Sequence, residues 1–494
     1  MARKVIVLGA GFSGLSAAAY LSRQGFKVEI LEKNAHAGGR AGMFEADGFR
    51  FNLGPEIYWL PEVFERFFAH FDSHPSNYYE LKRYAPALRV FSEDNEYFDV
   101  PCNYEELVDF FEANEKGSGK KLIKFYSNAE KLYRLAMNKL LYKPGKSVFE
   151  YANPGYMLEI WKTQALRPIK SYTRSLFKNK RLQAVLEYPF LFLGSNPQRL
   201  PSIFHLTNFA NTEMGTWYPK GGMYSVVEAM QKVCVNFDVD ITYHVNVDQL
   251  DVLKGKVISA HFSHRNFYGE YFVSSADYYH TDNQLLAEPY GNYSEKSWNK
   301  KTLGPSALIF YLGINKNLQK LEHLNMVTGA NMETQMGSFT KHHVWPENPS
   351  FFVSAASKSD ETAAPAGHEN IKVTIPVPSG LIDPGKIRDH YYHYVIDKLE
   401  QVCGTNISDH IVFHKSYAHT DFINDFNAFK GNGFGLANVP WQLANRRCKI
   451  INKNLPNLFY TGHYCVPGPG VPTAIISGEI VAREIYRASG GKKN

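Results

Sequence analysis

Three glycines in the order G-x-G-x-x-G, Gly9, Gly11 and Gly14, followed by an acid at Glu32, are the residues whose types and spacing most directly specify chemistry. Gly9 permits a tight turn, Gly11 lets the backbone approach a pyrophosphate, and Gly14 lets a helix pack closely on a strand. A helix starting here would turn unpaired N–H groups and the positive end of its dipole towards that anion. Glu32 is placed to accept hydrogen bonds from a ribose 2′-hydroxyl, which favours an unphosphorylated ribose, in FAD or NAD over NADP. Near the other end, Val466-Pro467-Gly468-Pro469-Gly470-Val471-Pro472 forms a rigid loop, because glycine and proline fix turns that ordinary residues could not adopt. The five cysteines, Cys102, Cys234, Cys403, Cys448 and Cys465, include no C-x-x-C pair and carry no metal or redox-pair signature.

The elements that must position these residues are legible around them. Val5–Leu8 is a short apolar run with β-branched residues, the pattern of a buried parallel strand. An alanine-rich helix runs from the glycines to about Arg23, and a second strand, Lys27–Leu31, ends on Glu32. Strand, glycines, helix, strand and acid together make the dinucleotide reading far stronger than the glycines alone. Further on, Tyr224–Val235 reads as a helix and Val239–Tyr243 as a strand. Val257–His261 and Glu270–Val273 alternate like a hairpin pair, and Val273–Asp277 reads as a strand ending in a small-residue turn. Ala307–Leu312, Ser350–Ser354 and Ile371–Pro376 suggest strands of a second sheet, with a helix over Ile387–Gln401. Asn457–Gly462 is a closing strand, and Thr473–Tyr486 a small-residue-rich helix after the Pro/Gly loop.

A chain of 494 residues with 44% hydrophobic content can bury a sizeable core in two or three domains. The odd cysteine count argues against a disulfide framework, and a reducing compartment is the simplest reading. The first strand begins too early to leave a signal peptide, and no apolar run approaches the roughly 20 residues of a membrane span. The net charge of +6 is modest and no nucleic-acid module is present, so nucleic acid is set aside. Between Tyr104 and Phe204 the sequence changes character. Helical periodicity runs through Tyr104–Tyr142, and then lysines and arginines (Lys139, Lys143, Lys146, Lys162, Arg167, Lys170, Arg174) crowd among large apolar residues. Such a stretch lies in a membrane interface or forms the charged outer face of a soluble helical unit.

Beyond the N-terminal unit, Gly38-Gly39-Arg40, Asn52-Leu53-Gly54-Pro55-Glu56-Ile57-Tyr58-Trp59, Tyr218-Pro219-Lys220-Gly221-Gly222 and the closing Pro-Gly-Pro-Gly-Val-Pro resemble the bacterial phytoene desaturase and carotenoid desaturase family, FAD enzymes of the amine-oxidase-like flavoprotein superfamily. The resemblance spans almost the whole chain. It implies an α/β fold: a Rossmann-type FAD-binding domain assembled from discontinuous segments, a mixed-sheet substrate domain, and a helical membrane-associating subdomain. The corresponding boundaries are 1–85, 216–290 and 455–490 for the first, 86–103 and 291–454 for the second, and 104–215 for the third. In that family the last strand returns beside the first, and the helix after it aims at the flavin. The resemblance assigns Gly9, Gly11, Phe12, Ser13, Gly14, Glu32, Lys33, Gly39, Arg40, Gly54, Pro55, Gly462, Gly470, Val471 and Pro472 to the cofactor.

The activity implied is FAD-dependent desaturation of an acyclic carotenoid, phytoene or a later intermediate, by hydride transfer to flavin and loss of a proton. Glu56 and His463 are the acid–base candidates, and Tyr58 and Trp59 the expected tunnel lining. Glu56 stands where the family usually has a small hydroxyl residue, and His463-Tyr464-Cys465 is bulkier than the family's loop. Both departures point to a hydroxylated acyclic carotenoid as an alternative substrate. Two other readings are a flavin oxidase of a soluble amine and a non-catalytic carotenoid-binding protein. The expected partners are a long apolar polyene, a membrane lipid surface, and oxygen or a quinone as electron acceptor. The expected location is cytoplasmic, on the inner face of the cell membrane.

Overall fold

The computed structural model describes residues 3–192, 196–329, 332–339 and 343–491. The N-terminal apolar run forms the strand Lys4–Leu8 at the centre of a five-stranded sheet. The order is Leu458–Tyr460, Tyr271–Ser274, Lys4–Leu8, Lys27–Leu31, Asp240–Thr242, and every pairing is parallel. Val5, Ile6 and Val7 are fully buried, as a strand covered on both faces requires. The helix Phe12–Arg23 crosses one face, and the last helix, Val471–Ala488, packs along it. A Cβ on Gly14 would stand 2.1 Å from the Gly9 carbonyl oxygen, so no other residue permits this turn.

Two expectations are corrected here. Tyr271–Ser274 is not the hairpin partner of the strand containing Val257–His261. Lys256–Phe262 pairs instead with Gln249–Leu253 and Arg265–Tyr268 in a separate antiparallel sheet. Tyr271–Ser274 joins the parallel sheet, where Phe272 and Val273 are fully buried, because its apolar residues are contiguous rather than alternating. It also separates the last strand from the first: Leu458–Tyr460 pairs with Tyr271–Ser274, and not with Lys4–Leu8.

A second, seven-stranded sheet runs in the order Ile411–Tyr417, Ser306–Ile314, Glu369–Val377, Phe351–Ala355, Leu324–Val327, Leu88–Phe91, Tyr97–Val100. All its pairings are antiparallel except Leu324–Val327 with Leu88–Phe91. Alternate residues serve opposite faces. Leu308, Phe310, Ile371, Val373 and Ile375 pack under the helix Gly385–Cys403 through Tyr391, Val395 and Leu399. Residues on the other face, among them Ala307, Ile309, Lys372 and Thr374, line a cavity.

The helical stretch opens at Asn103, whose side chain caps Tyr104–Asn114 by accepting from the Glu106 N–H at 2.9 Å. The expected run Tyr104–Tyr142 breaks at Gly117 (φ +80°), and Ser118–Leu135 follows as a second helix. Leu107, Phe111, Leu122 and Phe125 share one apolar core with Leu88, Leu324 and Phe352 of the seven-stranded sheet. Among the described residues, no helix is long and apolar enough to cross a membrane.

Candidate functional site

One cleft of about 500 Å³ connects the glycine turn to the face of the second sheet that carries Ala307, Ile309, Lys372 and Thr374. At its first end, the Gly9 N–H donates to the Leu31 carbonyl at 2.8 Å, which folds the glycine turn over the second strand. The helix that starts at Phe12 has Gly11 as its N-cap and no side chain capping its N–H groups. A Cβ on Gly11 would find only the Ser275 hydroxyl, 3.9 Å away, so the turn is open towards the cleft. Ser13 Oγ lies 2.9 Å from Ser275 Oγ, tying the helix start to the small-residue turn after Tyr271–Ser274. Glu32, only 4% exposed, accepts from the backbone N–H of Ala10 at 2.6 Å and of Asn34 at 2.9 Å. Burial pushes its carboxyl up, against the pull of those two amides. Each oxygen keeps a lone pair for a hydroxyl donor in the cleft. Lys33 lines the cleft too, with its ammonium on the Asn424 carbonyl and on Asn427 Oδ1.

The middle of the cleft is built by Gly38–Ala41, Gly54–Glu56, Ser275–Asp277 and the loops Thr461–Tyr464 and Pro469–Thr473. Arg40 donates through Nη2 to the Asn432 carbonyl at 3.2 Å, while its buried Nε has no partner. Asp277, buried, accepts from the N–H groups of Tyr279 at 3.0 Å and Phe429 at 3.2 Å, and burial pushes its carboxyl up. The last helix also presents an N-terminus without a side-chain cap, at Gly470. Two open helix N-termini therefore face one cleft, together with an unpartnered guanidinium nitrogen and a buried acid with spare lone pairs. That donor and acceptor set suits a dinucleotide with a pyrophosphate. His463 lines the cleft with its Nε2 buried and unpartnered. Burial, then the guanidiniums of Arg40 and Arg447, hold its imidazole far below the usual range, hence neutral.

The far end is apolar. Ile57, Leu60, Leu206, Ala210, Ile309 and Leu324 contribute walls from the Gly-Pro loop, the helical unit and the second sheet. Glu56 sits on this wall in an ion pair with Lys372, and Asn52 Nδ2 donates to its other oxygen at 3.2 Å. Trp59 lines the cleft and donates from Nε1 to Thr216 Oγ1 at 2.9 Å. Tyr58 does not reach it. Fully buried, it stacks on Phe64 with ring centroids 4.0 Å apart, and its hydroxyl meets Tyr79 at 3.2 Å. The order of residues in the loop did not reveal this. Successive side chains diverge, so Tyr58 turns into the core while Trp59 turns outward.

All the residues expected to hold the cofactor apart from Gly14 thus converge on the cleft: Gly9, Gly11, Phe12, Ser13, Glu32, Lys33, Gly39, Arg40, Gly54, Pro55, Gly462, Gly470, Val471 and Pro472 line it. Gly14 stands behind the turn, as its packing function demands. Sequence reasoning missed Lys372 and the chemical part of Asp277. The available signal for Lys372 was a lysine between two β-branched apolar residues, Ile371 and Val373, of the strand Glu369–Val377.

A family model described as flavin containing amine oxidoreductase matches residues 12–486. A carotenoid 3,4-desaturase of Haloarcula japonica is 33% identical over 486 residues, 97% of each chain. A zeta-carotene-forming phytoene desaturase of Myxococcus xanthus is 28% identical over 494 residues, covering 98% of this chain and 94% of the other. Among solved structures, an oxidoreductase from Methanosarcina mazei aligns with a TM-score of 0.64 at 16% identity, over 97% of this chain and 100% of its own. Cyclohexylamine oxidase from Brevibacterium oxydans aligns with a TM-score of 0.61 at 13% identity, over 99% of this chain and 100% of its own. At those identities the structural likeness shows the fold alone.

Proposed function

Because the chain belongs to the carotenoid desaturase family of the flavin containing amine oxidoreductases, we propose that it desaturates an acyclic carotenoid with FAD as its cofactor. The observation that carries this reading is the single cleft joining a dinucleotide cradle to apolar walls. A polyene has no charged handle, so only shape and apolar contact can orient it. When bound, FAD supplies the two-electron acceptor that no side chain can provide. The glycine turn, Glu32 and Arg40 would hold its ADP and pyrophosphate, and the loops at Gly462 and Gly470–Pro472 its flavin end.

The protein's own contribution is position, exclusion of water and a proton acceptor. Ile57, Leu60, Leu206, Ile309 and Leu324 would keep water from the reacting carbons. Glu56 is the acceptor of choice, since it is the carboxylate on the apolar wall. His463 is better suited to a hydrogen bond with the cofactor, because an imidazole held so firmly neutral is a poor base. Electrons would pass on to oxygen or a quinone. On the same reading, segments 1–85, 216–290 and 455–490 hold the cofactor, 86–103 and 291–454 the substrate, and 104–215 the membrane contact. Large apolar side chains exposed at Phe149, Trp161 and Leu166 support that contact, on the inner face of the cell membrane.

A second reading, a hydroxylated acyclic carotenoid as substrate, has its own support. Ser354, Lys372, Thr374 and Glu56 form a polar strip on the otherwise apolar wall, suited to one hydroxyl. Anaerobic reduction of the bound FAD tests both readings. Phytoene and a 1-hydroxy acyclic carotenoid, each in liposomes, should bleach the flavin and gain conjugation, whereas cyclohexylamine should not. Bleaching by the amine alone would overturn the desaturase reading, and equal turnover of the two carotenoids would remove the preference for a hydroxyl.

A further inference from the structure

A lysine stands where its surroundings disfavour one. The strand Glu369–Val377 is paired on both sides, and at its centre Lys372 lies opposite Tyr311 on one neighbour and Ser354 on the other. The Lys372 side chain is 4% exposed and that of Glu56 10%. A buried ammonium persists only where its donors find acceptors. All its acceptors come from a single loop: the Glu56 carboxylate, the Gly54 carbonyl and, at 3.5 Å, the Asn52 carbonyl. The second Glu56 oxygen takes the Asn52 amide. Lys372 therefore clamps the Asn52–Glu56 loop onto the sheet, with the carboxylate at the apolar end of the cleft.

The phenols and the imidazole packed around this pair carry no charge. Burial pushes the phenols of Tyr84, Tyr218 and Tyr311 up, so all three stay protonated. His323, behind Lys372, is pushed down by burial to about 3 and is neutral. Lys82 and Asp360 act on His323, and Lys372 is the cation that acts on Glu56.

We propose that Lys372 is a positioning residue for the desaturation: it fixes the Glu56 carboxylate on the cleft wall and keeps it in the anionic form that accepts the substrate proton. This rests on the carotenoid reading above. In the step concerned, a C–H bond of the substrate breaks and its proton passes to a Glu56 oxygen. The electron pair left behind becomes the second bond of the new alkene. The other hydrogen leaves with its electron pair to the flavin, the acceptor that the family's chemistry supplies. Lys372 then favours return of the carboxyl to its anion, releasing the proton to solvent. Burial pushes Glu56 up and Lys372 down, and each group opposes the shift of the other. Without Lys372, the Asn52 amide alone opposes the effect of burial on Glu56, and the carboxyl remains protonated to higher pH.

The test compares FAD-loaded wild type with Lys372→Met, Lys372→Arg and Glu56→Gln. Two quantities are followed against pH: carotenoid turnover from liposomes per bound FAD, and the infrared carbonyl band of the protonated carboxyl in the oxidised, substrate-free enzyme. Lys372→Met should lower kcat about 10- to 100-fold at neutral pH and recover as the pH rises, its carboxyl band disappearing at a higher pH than in wild type. Lys372→Arg should keep the wild-type pH profile. Glu56→Gln should lose about 100-fold at pH values where the wild-type carboxyl is ionised, lose the pH dependence due to this group, and lack the band. An unmoved band in Lys372→Met, or a loss of turnover that is the same at every pH, would overturn the proposal. Failure of the wild type to desaturate any carotenoid would instead overturn the functional reading, while the infrared titration, which needs no substrate, still decides whether Lys372 governs Glu56.

Discussion

Glu32 shows how much one carboxylate can be asked to do. Both oxygens are fixed by backbone amides, at Ala10 and Asn34, before any ligand arrives. An acceptor already held in place loses little entropy on binding a hydroxyl. Hydrogen bonds to a charged acceptor are worth about 1.5–3 kcal/mol each. Glu32→Ala should therefore weaken FAD retention by roughly 10- to 100-fold, read as flavin lost on dialysis, with the apolar end of the cleft unaltered. A variant that stays fully yellow through dialysis would contradict the assignment. Glu32 was legible because its position relative to the glycines is fixed by the length of one helix and one strand. Lys372 and Glu56 lie far apart in the chain and meet only where the Asn52–Glu56 loop packs on the second sheet, and no local spacing announces such a pair. Tyr58 was misplaced for a related reason: an aromatic residue in a loop carries no sign of which side it will bury.

At the scale of elements, a close packing contact joins the two helices that open onto the cleft. Gly478, on the last helix, faces the first: a Cβ there would stand 2.5 Å from the Ser13 carbonyl oxygen and 2.6 Å from Ser16 Cβ. Ser16 Oγ also donates to the Ile475 carbonyl at 2.7 Å. Gly478→Val must push the helices apart, at a cost of about 1–3 kcal/mol. Because the N-termini of both helices line the cleft, the same shift should speed FAD release. The expected outcome is a lower melting temperature together with faster loss of flavin; wild-type values for both would show that the helix contact does not organise the site. The first helix and the strands beside it could be read from sequence, since contiguous apolar runs, a glycine turn and an alanine-rich stretch mark them locally. The strand Tyr271–Ser274 was assigned the wrong partner. Four residues are too few for period alone to separate a central parallel strand from a hairpin arm, and its neighbours, Lys4–Leu8 and Leu458–Tyr460, lie far away in the chain.

For the whole molecule, the question is how an insoluble polyene reaches a cleft buried between two sheets. The helical unit supplies cleft walls through Leu206 and Ala210, and it also carries a cluster of exposed apolar side chains. Met157, Leu158 and Trp161 fall on one side of the helix Pro154–Lys162, with Trp161 77% exposed, and Phe149 just before it is 83% exposed. Such side chains stay in water only at a cost of about 1.5–3 kcal/mol each relative to an apolar medium. Exposed Lys139, Lys162 and Arg167 lie nearby in the chain and would meet anionic headgroups while the aromatic rings enter the acyl boundary. The protein should therefore float with liposomes containing anionic lipid, and less so in high salt, which screens the lysines and arginine but not the rings. The double variant Phe149→Ser, Trp161→Ser removes two large apolar groups, about 3–6 kcal/mol, and should lower partitioning by on the order of 100-fold or more. Its FAD content should be unchanged, because neither residue lines the cleft. A wild-type protein that stays at the bottom of the gradient whatever the lipid charge would remove the membrane from the account, and a soluble carrier would then have to deliver the polyene.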